Sequence, residues 1–242
     1  MIKDLIRTVR VHAVRALAIL RAHLDVSGRR VLIVAPHPDD EVFGCAGLVQ
    51  QLVQSGTQVD VVIVTGGEKS HATCCDLEEE TLIKKRRELA CRGAQIVGLS
   101  EMHLHFLDYP DGGIHWNCPE TEKFRQLVDK LSPDTIFVPH WGEGWPDHIE
   151  TGRIVRQLIK DCGQIDIYEY CVWFWFYNVR HIDWPSARIV RMTAAQHRAK
   201  LDAIRTYTEP KAPCGNPWSG MLPRPFVWAN TWNKELYFKA QQ

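Results

Sequence analysis

Hydrophobic and polar positions follow two different spacings in turn from residue 30 onward. Continuous β-branched runs, such as Val-Leu-Ile-Val at 31–34, are typical of buried parallel strands, whereas apolar residues three and four apart are typical of helices. We predict strands over residues 30–35, 58–65, 103–107, 134–139, 167–174 and 188–192. We predict helices over residues 41–55, 78–97, 120–131, 148–161 and 194–207. The alternation predicts a single doubly wound, Rossmann-like α/β domain, with a mostly parallel sheet and helices on both faces.

The N-terminal segment has a different pattern, that of an amphipathic basic helix. Its apolar positions are interrupted by Arg7, Arg10 and Arg15, so it lacks the roughly 20 apolar residues that cross a bilayer and the apolar centre of a signal peptide. We assign residues 1–28 to this helix and residues 29–242 to the domain. The helix is predicted to pack on the domain or on a partner subunit, and contact of residues 1–24 with a membrane surface is the alternative.

Aromatic residues are frequent towards the C-terminus. Within residues 167–177 they are spaced nearly every second position, at Tyr168, Tyr170, Trp173, Trp175 and Tyr177. This spacing predicts a packed strand, and a stacking surface for a saccharide is the alternative. The region after Pro210 is rich in Pro, Gly and Trp, so we predict an irregular segment that packs against the domain.

Composition limits the classes of function. A chain of 242 residues with 45% hydrophobic content can build one sizeable core, and we find no internal repeat. Basic and acidic residues number 29 each, so no overall field favours nucleic acid. The eight cysteines include the adjacent Cys74 and Cys75 but no Cys-x-x-Cys pair, which argues against a thiolate zinc knuckle or a thioredoxin-like site. Reduced cysteines and a cytoplasmic location are therefore expected.

Four titratable residues follow the first predicted strand, in the segment Ala-Pro-His-Pro-Asp-Asp-Glu-Val-Phe-Gly at 35–44: His37, Asp39, Asp40 and Glu41. They lie in a strand-to-helix turn, and ligands of open α/β sheets bind at the carboxyl ends of strands. Burying so many ionisable groups requires compensation, which a divalent metal would provide because imidazole and carboxylate are zinc ligands. The alternative is a polar helix start with Asp39 or Asp40 as N-cap.

A second strand-end loop can complete a metal site. Residues 139–148 read Pro-His-Trp-Gly-Glu-Gly-Trp-Pro-Asp-His and lie between a predicted strand and a helix. Parallel strands bring both loops to the same edge of the sheet. His148 is either a third metal ligand or an exposed histidine at a helix start. A cationic imidazole there would oppose the helix dipole, whereas a neutral, metal-bound one would not.

The segment Pro-His-Pro-Asp-Asp-Glu at 36–41 resembles the signature of the PIG-L/LmbE-like N-deacetylases, zinc hydrolases that remove acetyl groups from N-acetylated amino sugars. The resemblance extends from about residue 29 into the C-terminal third of the chain. It implies an LmbE-like fold, a Zn²⁺ ion held by His37, Asp40 and His148, and deacetylation of an N-acetylglucosamine-type sugar or a lipid- or nucleotide-linked conjugate. The alternatives are a weak or inactive glycan-binding relative, or an amidase for another N-acyl conjugate. A nucleotide-binding module is disfavoured because no Gly-x-Gly-x-x-Gly follows the first strand.

The resemblance also implies catalytic roles. Asp39 matches the general base that takes a proton from the metal-activated water, and Asp147 can orient its neighbour His148 from outside the ligand set. Trp145 stands where relatives have a histidine that stabilises the oxyanion. An indole N–H donates a hydrogen bond but does not titrate. Either Trp145 donates, or His140 or another group replaces the histidine, or activity is altered.

Three residues are predicted to face the substrate: Arg86, Asp111 and His140. The resemblance places an arginine of the 84–88 segment at the sugar, matching Arg86 with Arg87 as a competitor, although such a charge run also fits a solvated helix face. Asp111 matches a residue that binds sugar hydroxyls, while Asp108 fits a plain turn. The expected partner is an N-acetylated amino sugar rather than nucleic acid, and the presence of a homo-oligomer stays open.

Overall fold

The computed structural model describes residues 2–26, 29–160, 162, 164–177 and 182–240. One sheet contains eight strands: β1 Ala22–His23, β2 Val31–Ala35, β3 Val59–Thr65, β4 Leu104–Tyr109, β5 Thr135–Pro139, β6 Asp166–Tyr170, β7 Ala187–Arg191 and β8 Lys234–Lys239. The helices of this part of the chain are α1 Ile2–Ala18, α2 Asp40–Gln54, α3 Glu79–Ile96, α4 Glu120–Leu131, α5 Pro146–Leu158, α6 Ala194–Thr208 and α7 Arg224–Asn230. Short 3-10 turns lie at Glu68–His71, Glu101–His103 and Trp173–Trp175.

The strand order is β1-β7-β8-β6-β5-β2-β3-β4, and every pairing is parallel except the two that β8 makes. From β2 the chain first builds outward through β3 and β4, and then returns to the other side of β2 with β5 and β6. The order therefore reverses between β2 and β5, which is where ligands bind in folds of this kind. The α/β class and the mostly parallel sheet predicted from the sequence are confirmed.

The central strands are buried on both faces, as their unbroken apolar runs predict. Every residue of β2 and β3 is buried. Because side chains alternate between the faces of a strand, β2 contributes to two cores. Ile33 belongs to the core that includes residues of α2, α3 and α6, and Leu32 belongs to the core on the other face, with residues of α4 and α5. This packing holds the carboxyl ends of β2 and β5 in a rigid frame.

Two C-terminal predictions are wrong. The strand predicted over 167–174 ends at Tyr170, because the buried carboxylate of Glu143 accepts the backbone N–H groups of Val172 and Phe174 and the chain turns into 3-10 geometry. The aromatic spacing of residues 167–177 is thus not one strand. The region after Pro210 is not irregular throughout, since it contains α7 and β8.

Helix α1 packs on the domain through one face. Val11, Val14 and Ala18 are buried in a core shared with β7 and β8. Its arginines donate hydrogen bonds to backbone carbonyls of the domain, as in the 2.7 Å contact from Arg15 to the Ala229 oxygen. The opposite face exposes apolar residues, namely Leu5, Ile6 and Val9. Among the described residues, no helix has the length and apolar character to cross a membrane. Contact of the exposed face with a membrane surface or a second copy stays a prediction.

A buried ion pair joins α6, α2 and β8. Lys200 Nζ lies 2.7 Å from Glu235 Oε1 and 2.8 Å from the Phe43 carbonyl oxygen. The Glu235 carboxylate also accepts the backbone N–H groups of Gly47 and Leu48. Each charge is therefore compensated by a partner in a region that excludes water.

Candidate metal centre and active site

The loop between β2 and α2 is held in an unusual backbone conformation. Asp39 has φ 138°, a region that non-glycine residues rarely adopt. Glu41 accepts the Asp39 backbone N–H at 2.9 Å, and Arg86 donates to the Pro38 carbonyl at 2.7 Å. Asp39 precedes the helix, but its side chain makes no capping hydrogen bond. The carboxylate is thus left to face the cavity described below.

Three side chains from the two strand-end loops meet above the switch point. Asp40 Oδ2 lies 3.3 Å from His37 Nδ1 and 3.2 Å from His148 Nε2. One ligand atom from each residue lies within 4.8 Å of the others, as a metal ion requires. The structure therefore brings together His37, Asp40 and His148, the three residues that the resemblance implied as metal ligands.

The second nitrogen of each imidazole faces another carboxylate. His148 Nδ1 lies 2.8 Å from Glu143 Oε2, and His37 Nε2 lies 3.2 Å from Asp147 Oδ2. In a neutral imidazole the carboxylate accepts the ring N–H, so the nitrogen directed at Asp40 would present its lone pair to a metal ion. Pairs of this kind orient metal-binding histidines.

His148 Nε2 is the atom that argues most directly for a metal. It is completely buried and makes no hydrogen bond, although Asp40 is close. Buried nitrogen atoms without a partner are rare because they lose hydration without compensation. Tetrahedral Zn²⁺ with nitrogen and oxygen ligands places neighbouring ligand atoms about 3.4 Å apart, near the separations found here. The three residues fit a zinc ion.

Charge interactions in this cluster shift several pKa values. Burial raises the pKa of Asp39 to about 8, with Asp40 and Glu41 adding to the rise and Arg86 opposing it. Burial lowers the pKa of His148, but the carboxylates of Asp40 and Glu143 outweigh it and raise that pKa to about 9. The metal-free cluster therefore holds protons that a metal ion must displace.

Asp111 and Asp147 form a second acidic group around His37 Nε2. Asp111 Oδ1 lies 3.3 Å from this nitrogen, and His37, Asp111 and Asp147 also satisfy the distance requirement for a metal. Both carboxylates already accept backbone N–H groups, from Lys69 to Asp111 at 2.8 Å and from Gly112 to Asp147 at 2.7 Å. These contacts favour roles in orienting His37 over metal binding. Asp147 was predicted to orient its neighbour His148, but its carboxylate contacts His37, and Glu143 contacts His148 instead.

A cavity of about 290 Å³ opens beside the cluster. His37, Asp39 and Asp40 line its floor, and Arg86 and Asp111 are also among the lining residues. Trp145 and Trp173 contribute to its wall, with their rings stacked at a centroid distance of 5.0 Å. Ligand sites commonly enclose about 300–1,000 Å³, so this cavity has the size of a small site.

The adjacent residues Arg86 and Arg87 have different environments in the structure. Arg86 is buried at the cavity and lies 3.3 Å from Asp39 Oδ2, with a second hydrogen bond to the Gly67 carbonyl. Arg87 pairs with Asp108 at the surface and does not line the cavity. Of the two arginines, Arg86 is the one placed to meet a substrate.

His140 is not brought to this cavity. It is buried between Phe174 and Phe238, with ring centroids 5.1 and 4.9 Å away, and it lines a different cavity with Arg156 and Glu169. Burial lowers the pKa of His140 to about 4. Its position gives no support to the predicted contact with substrate.

Sequence reasoning missed several residues. Glu143 was not selected, although an acidic residue inside a glycine-rich loop five positions before a candidate ligand was a usable signal. Lys69 and Ser70 line the cavity from a loop that carries no recognisable motif. The absence of a Cys-x-x-Cys pair argued against a thiolate zinc knuckle, yet three cysteines lie around one histidine. Two of them, Cys74 and Cys75, are adjacent, but the third, Cys214, is 140 residues from Cys74, so no short spacing indicates the group.

Comparison with known proteins agrees with this geometry. The PIG-L family profile, described as GlcNAc-PI de-N-acetylase, matches residues 32–159, more than half of the chain. A diacetylchitobiose deacetylase of Thermococcus kodakarensis is 29% identical over 138 residues, which cover 56% of this chain and 51% of the relative. A 1D-myo-inositol 2-acetamido-2-deoxy-alpha-D-glucopyranoside deacetylase of Corynebacterium glutamicum is 27% identical over 154 residues, covering 54% and 53%. The chain thus spans about half the length of these curated relatives.

Solved structures show the same fold. The N,N'-diacetylchitobiose deacetylase of Pyrococcus horikoshii has a TM-score of 0.59 at 25% identity, over 73% of this chain and 68% of that one. A deacetylase of the teicoplanin biosynthetic pathway has a TM-score of 0.67 at 13% identity, over 87% and 97%, a likeness of fold alone. Together with the family match and the two strand-end loops, these findings show that the chain belongs to the PIG-L family.

Proposed function

We propose that this protein is a metal-dependent hydrolase that removes the acetyl group from an N-acetylglucosamine-type sugar or one of its conjugates. The observation that carries the proposal is the convergence of His37, Asp40 and His148, with a buried unpaired nitrogen, beside a cavity that is lined by two of these residues and by Asp39. Several similar proteins are named as deacetylases of N-acetylated sugars. Zinc is the proposed metal, because its ligand preferences match two imidazoles and one carboxylate.

A bound zinc ion would supply Lewis acidity, which lowers the pKa of a water molecule and polarises an acyl oxygen. Asp39 is placed to handle the proton. Its carboxylate lines the cavity next to the metal ligand Asp40 and can accept a proton from the attacking water. The same carboxyl group can then return that proton to the departing amine nitrogen. Arg86, 3.3 Å away, fixes the orientation of the carboxylate.

The walls of the cavity suit a sugar ring. The stacked rings of Trp145 and Trp173 provide a flat apolar surface, while Arg86, Lys69 and Ser70 provide polar groups. Asp111 also lines the cavity, and we propose that it contributes to sugar binding as well as orienting His37. The volume is suited to about one monosaccharide unit, with the remainder of a conjugate outside.

Trp145 favours a second candidate, a weakly active or inactive protein that binds glycans. It stands at the N-cap of α5 beside the metal cluster, where a titrating histidine is expected in relatives. His140 lines another cavity, so its position does not support a role in place of that histidine. Such a glycan-binding protein would retain the metal and the cavity in order to bind the saccharide.

An acetate-release screen tests both candidates. Zinc-loaded protein is incubated with N-acetylglucosamine, N,N'-diacetylchitobiose, and the inositol, malate and nucleotide conjugates of N-acetylglucosamine, and acetate and free amine are measured. Release that disappears in His148→Ala supports the hydrolase. Saccharide binding by calorimetry without release supports the glycan-binding protein. Neither release nor binding across the panel contradicts both.

A further inference from the structure

A second cluster of metal-binding side chains lies outside the cavity. His71 ends the 3-10 turn after β3, Cys74 and Cys75 follow it, and Cys214 lies in the loop between α6 and α7. One ligand atom from each of the four residues lies within 4.8 Å of the others. This group shares no residue with the His37 cluster.

The imidazole of His71 is fixed in one orientation. The residue is buried, and Nε2 lies 2.9 Å from the Pro217 carbonyl oxygen. A carbonyl only accepts, so Nε2 carries the proton and Nδ1 presents a lone pair. Hydrogen bonding of the second ring nitrogen to a backbone carbonyl is the usual arrangement for a metal-binding histidine.

Three sulfurs surround this lone pair. Nδ1 lies 3.1 Å from the sulfur of Cys74, 3.5 Å from that of Cys214 and 3.6 Å from that of Cys75. One lone pair accepts one thiol proton, so hydrogen bonding accounts for only one of the three contacts. The convergence of all three needs another explanation.

The separations match a tetrahedral zinc site with three sulfurs and one nitrogen. Such a site places its sulfurs about 3.8 Å apart and its nitrogen about 3.6 Å from each sulfur. The Cys74 sulfur lies 3.9 Å from that of Cys75 and 3.4 Å from that of Cys214. A disulfide requires a sulfur–sulfur distance of about 2.05 Å, so none of these pairs is bonded.

We propose that His71, Cys74, Cys75 and Cys214 bind a structural zinc ion, separate from the ion proposed at His37. Four protein ligands leave no open position, which is the pattern of structural rather than catalytic zinc. Thiolate ligands select Zn²⁺ over hard cations such as Mg²⁺ and Ca²⁺.

The proposed ion would fasten two neighbouring loops that line the cavity. One loop carries Lys69 and Ser70, and the other carries Ser219 and Gly220, all of which line it. The loops already touch: a Cβ added at Gly220, where φ is +84°, would lie 2.9 Å from the Ser70 carbonyl oxygen. Loss of the ion would leave this wall of the cavity less constrained.

Metal analysis of protein purified under reducing conditions tests the proposal. We expect Cys214→Ser to lose one zinc equivalent per chain relative to the parent protein. Cys91→Ser, which changes a partly buried cysteine outside the cluster, should lose none. His148→Ala should lose only the equivalent from the other site, and the double variant His148→Ala with Cys214→Ser should lose both.

Cobalt substitution of the parent protein gives a test that depends neither on how well the variants fold nor on the hydrolase proposal. Co²⁺ bound by thiolates has a strong charge-transfer absorption in the near ultraviolet, which histidine and carboxylate ligands do not produce. We expect this band in the parent protein and in His148→Ala, and its loss in Cys214→Ser. Absence of the band from Co²⁺-loaded parent protein would overturn the proposal. A Cys74–Cys214 disulfide in the mass spectrum of unreduced protein would do the same.

Discussion

Glu143 Oε2 lies 2.8 Å from His148 Nδ1, and the accessible surface of both side chains is zero. The other oxygen of the carboxylate accepts the backbone N–H of Phe174 at 3.1 Å. One buried side chain thus orients a proposed metal ligand and ends β6. Carboxylates in such positions support metal-binding histidines without binding the metal themselves.

Glu143→Gln should weaken zinc binding at the His37 cluster by about 10–100-fold, the usual effect of losing such a partner. The amide keeps the size of the side chain and can accept the ring N–H, but it lacks the charge that makes the imidazole more basic. Competition with a chromogenic chelator measures the change in Kd. Glu150→Gln on the same helix, where the acid pairs with Arg153, is the matched control and should leave Kd unchanged.

Zinc affinity of the metal-free protein should rise with pH. The pKa of His148 is raised to about 9, so this imidazole is protonated at neutral pH and must lose its proton to bind metal. Below that pKa we expect Kd to fall at least about tenfold for each unit of pH, and to level off above it. Chelator competition between pH 6 and pH 9 checks this. A constant Kd across the range would show that zinc binding does not displace a proton from His148.

Asp39→Asn should retain zinc while losing about a hundredfold to ten-thousandfold in kcat, because an amide cannot accept the proton. Asn is a suitable replacement because it tolerates positive φ better than most residues, and Asp39 has φ 138°. Acetate release and metal content are measured on the same preparation. Asp108→Asn, at the exposed ion pair with Arg87, is the control. Parental turnover in Asp39→Asn would place the base elsewhere.

Trp145→His should raise kcat or add a decline at alkaline pH, because a cationic imidazole stabilises the oxyanion until it loses its proton. A missing donor typically costs about a hundred- to a thousandfold, which sets the largest gain available. Trp145→Phe keeps a ring against Trp173 but removes the N–H, so it separates hydrogen bonding from shape. If Trp145→His retains zinc and shows neither change, another group already stabilises the oxyanion. Lys69, which lines the cavity, would then be tested first.

Lys200→Met should lower the free energy of unfolding by about 3–5 kcal/mol, because Glu235 would remain charged and buried without its cation. Urea denaturation followed by circular dichroism measures the loss. Lys211→Met, at an exposed position, should change stability little. Adding Glu235→Gln to Lys200→Met should recover part of the loss. A loss of similar size in both single lysine variants would contradict the role of the pair.

Most of the sheet, and the meeting of His37, Asp40 and His148, could be predicted because the signals are local. Apolar runs located β2 and β5 to within about one residue, and the titratable residues at both strand ends indicated which side chains would come together. The turn after Tyr170 could not be predicted, since it depends on a carboxylate 29 residues away from Val172. The proximity of Cys214 to Cys74 was equally hidden, because 140 residues separate them.

The antiparallel strand β8 has a consequence for the order of folding. It lies inside the sheet, between β6 and β7, and β1 joins only through β7. Helix α1 and strand β1 therefore cannot reach their final positions until residues 234–239 have left the ribosome. During synthesis, the buried face of α1, with Val11 and Val14, stays without its partners in β7 and β8, which are translated much later. Such delayed burial exposes apolar surface to aggregation and to chaperones.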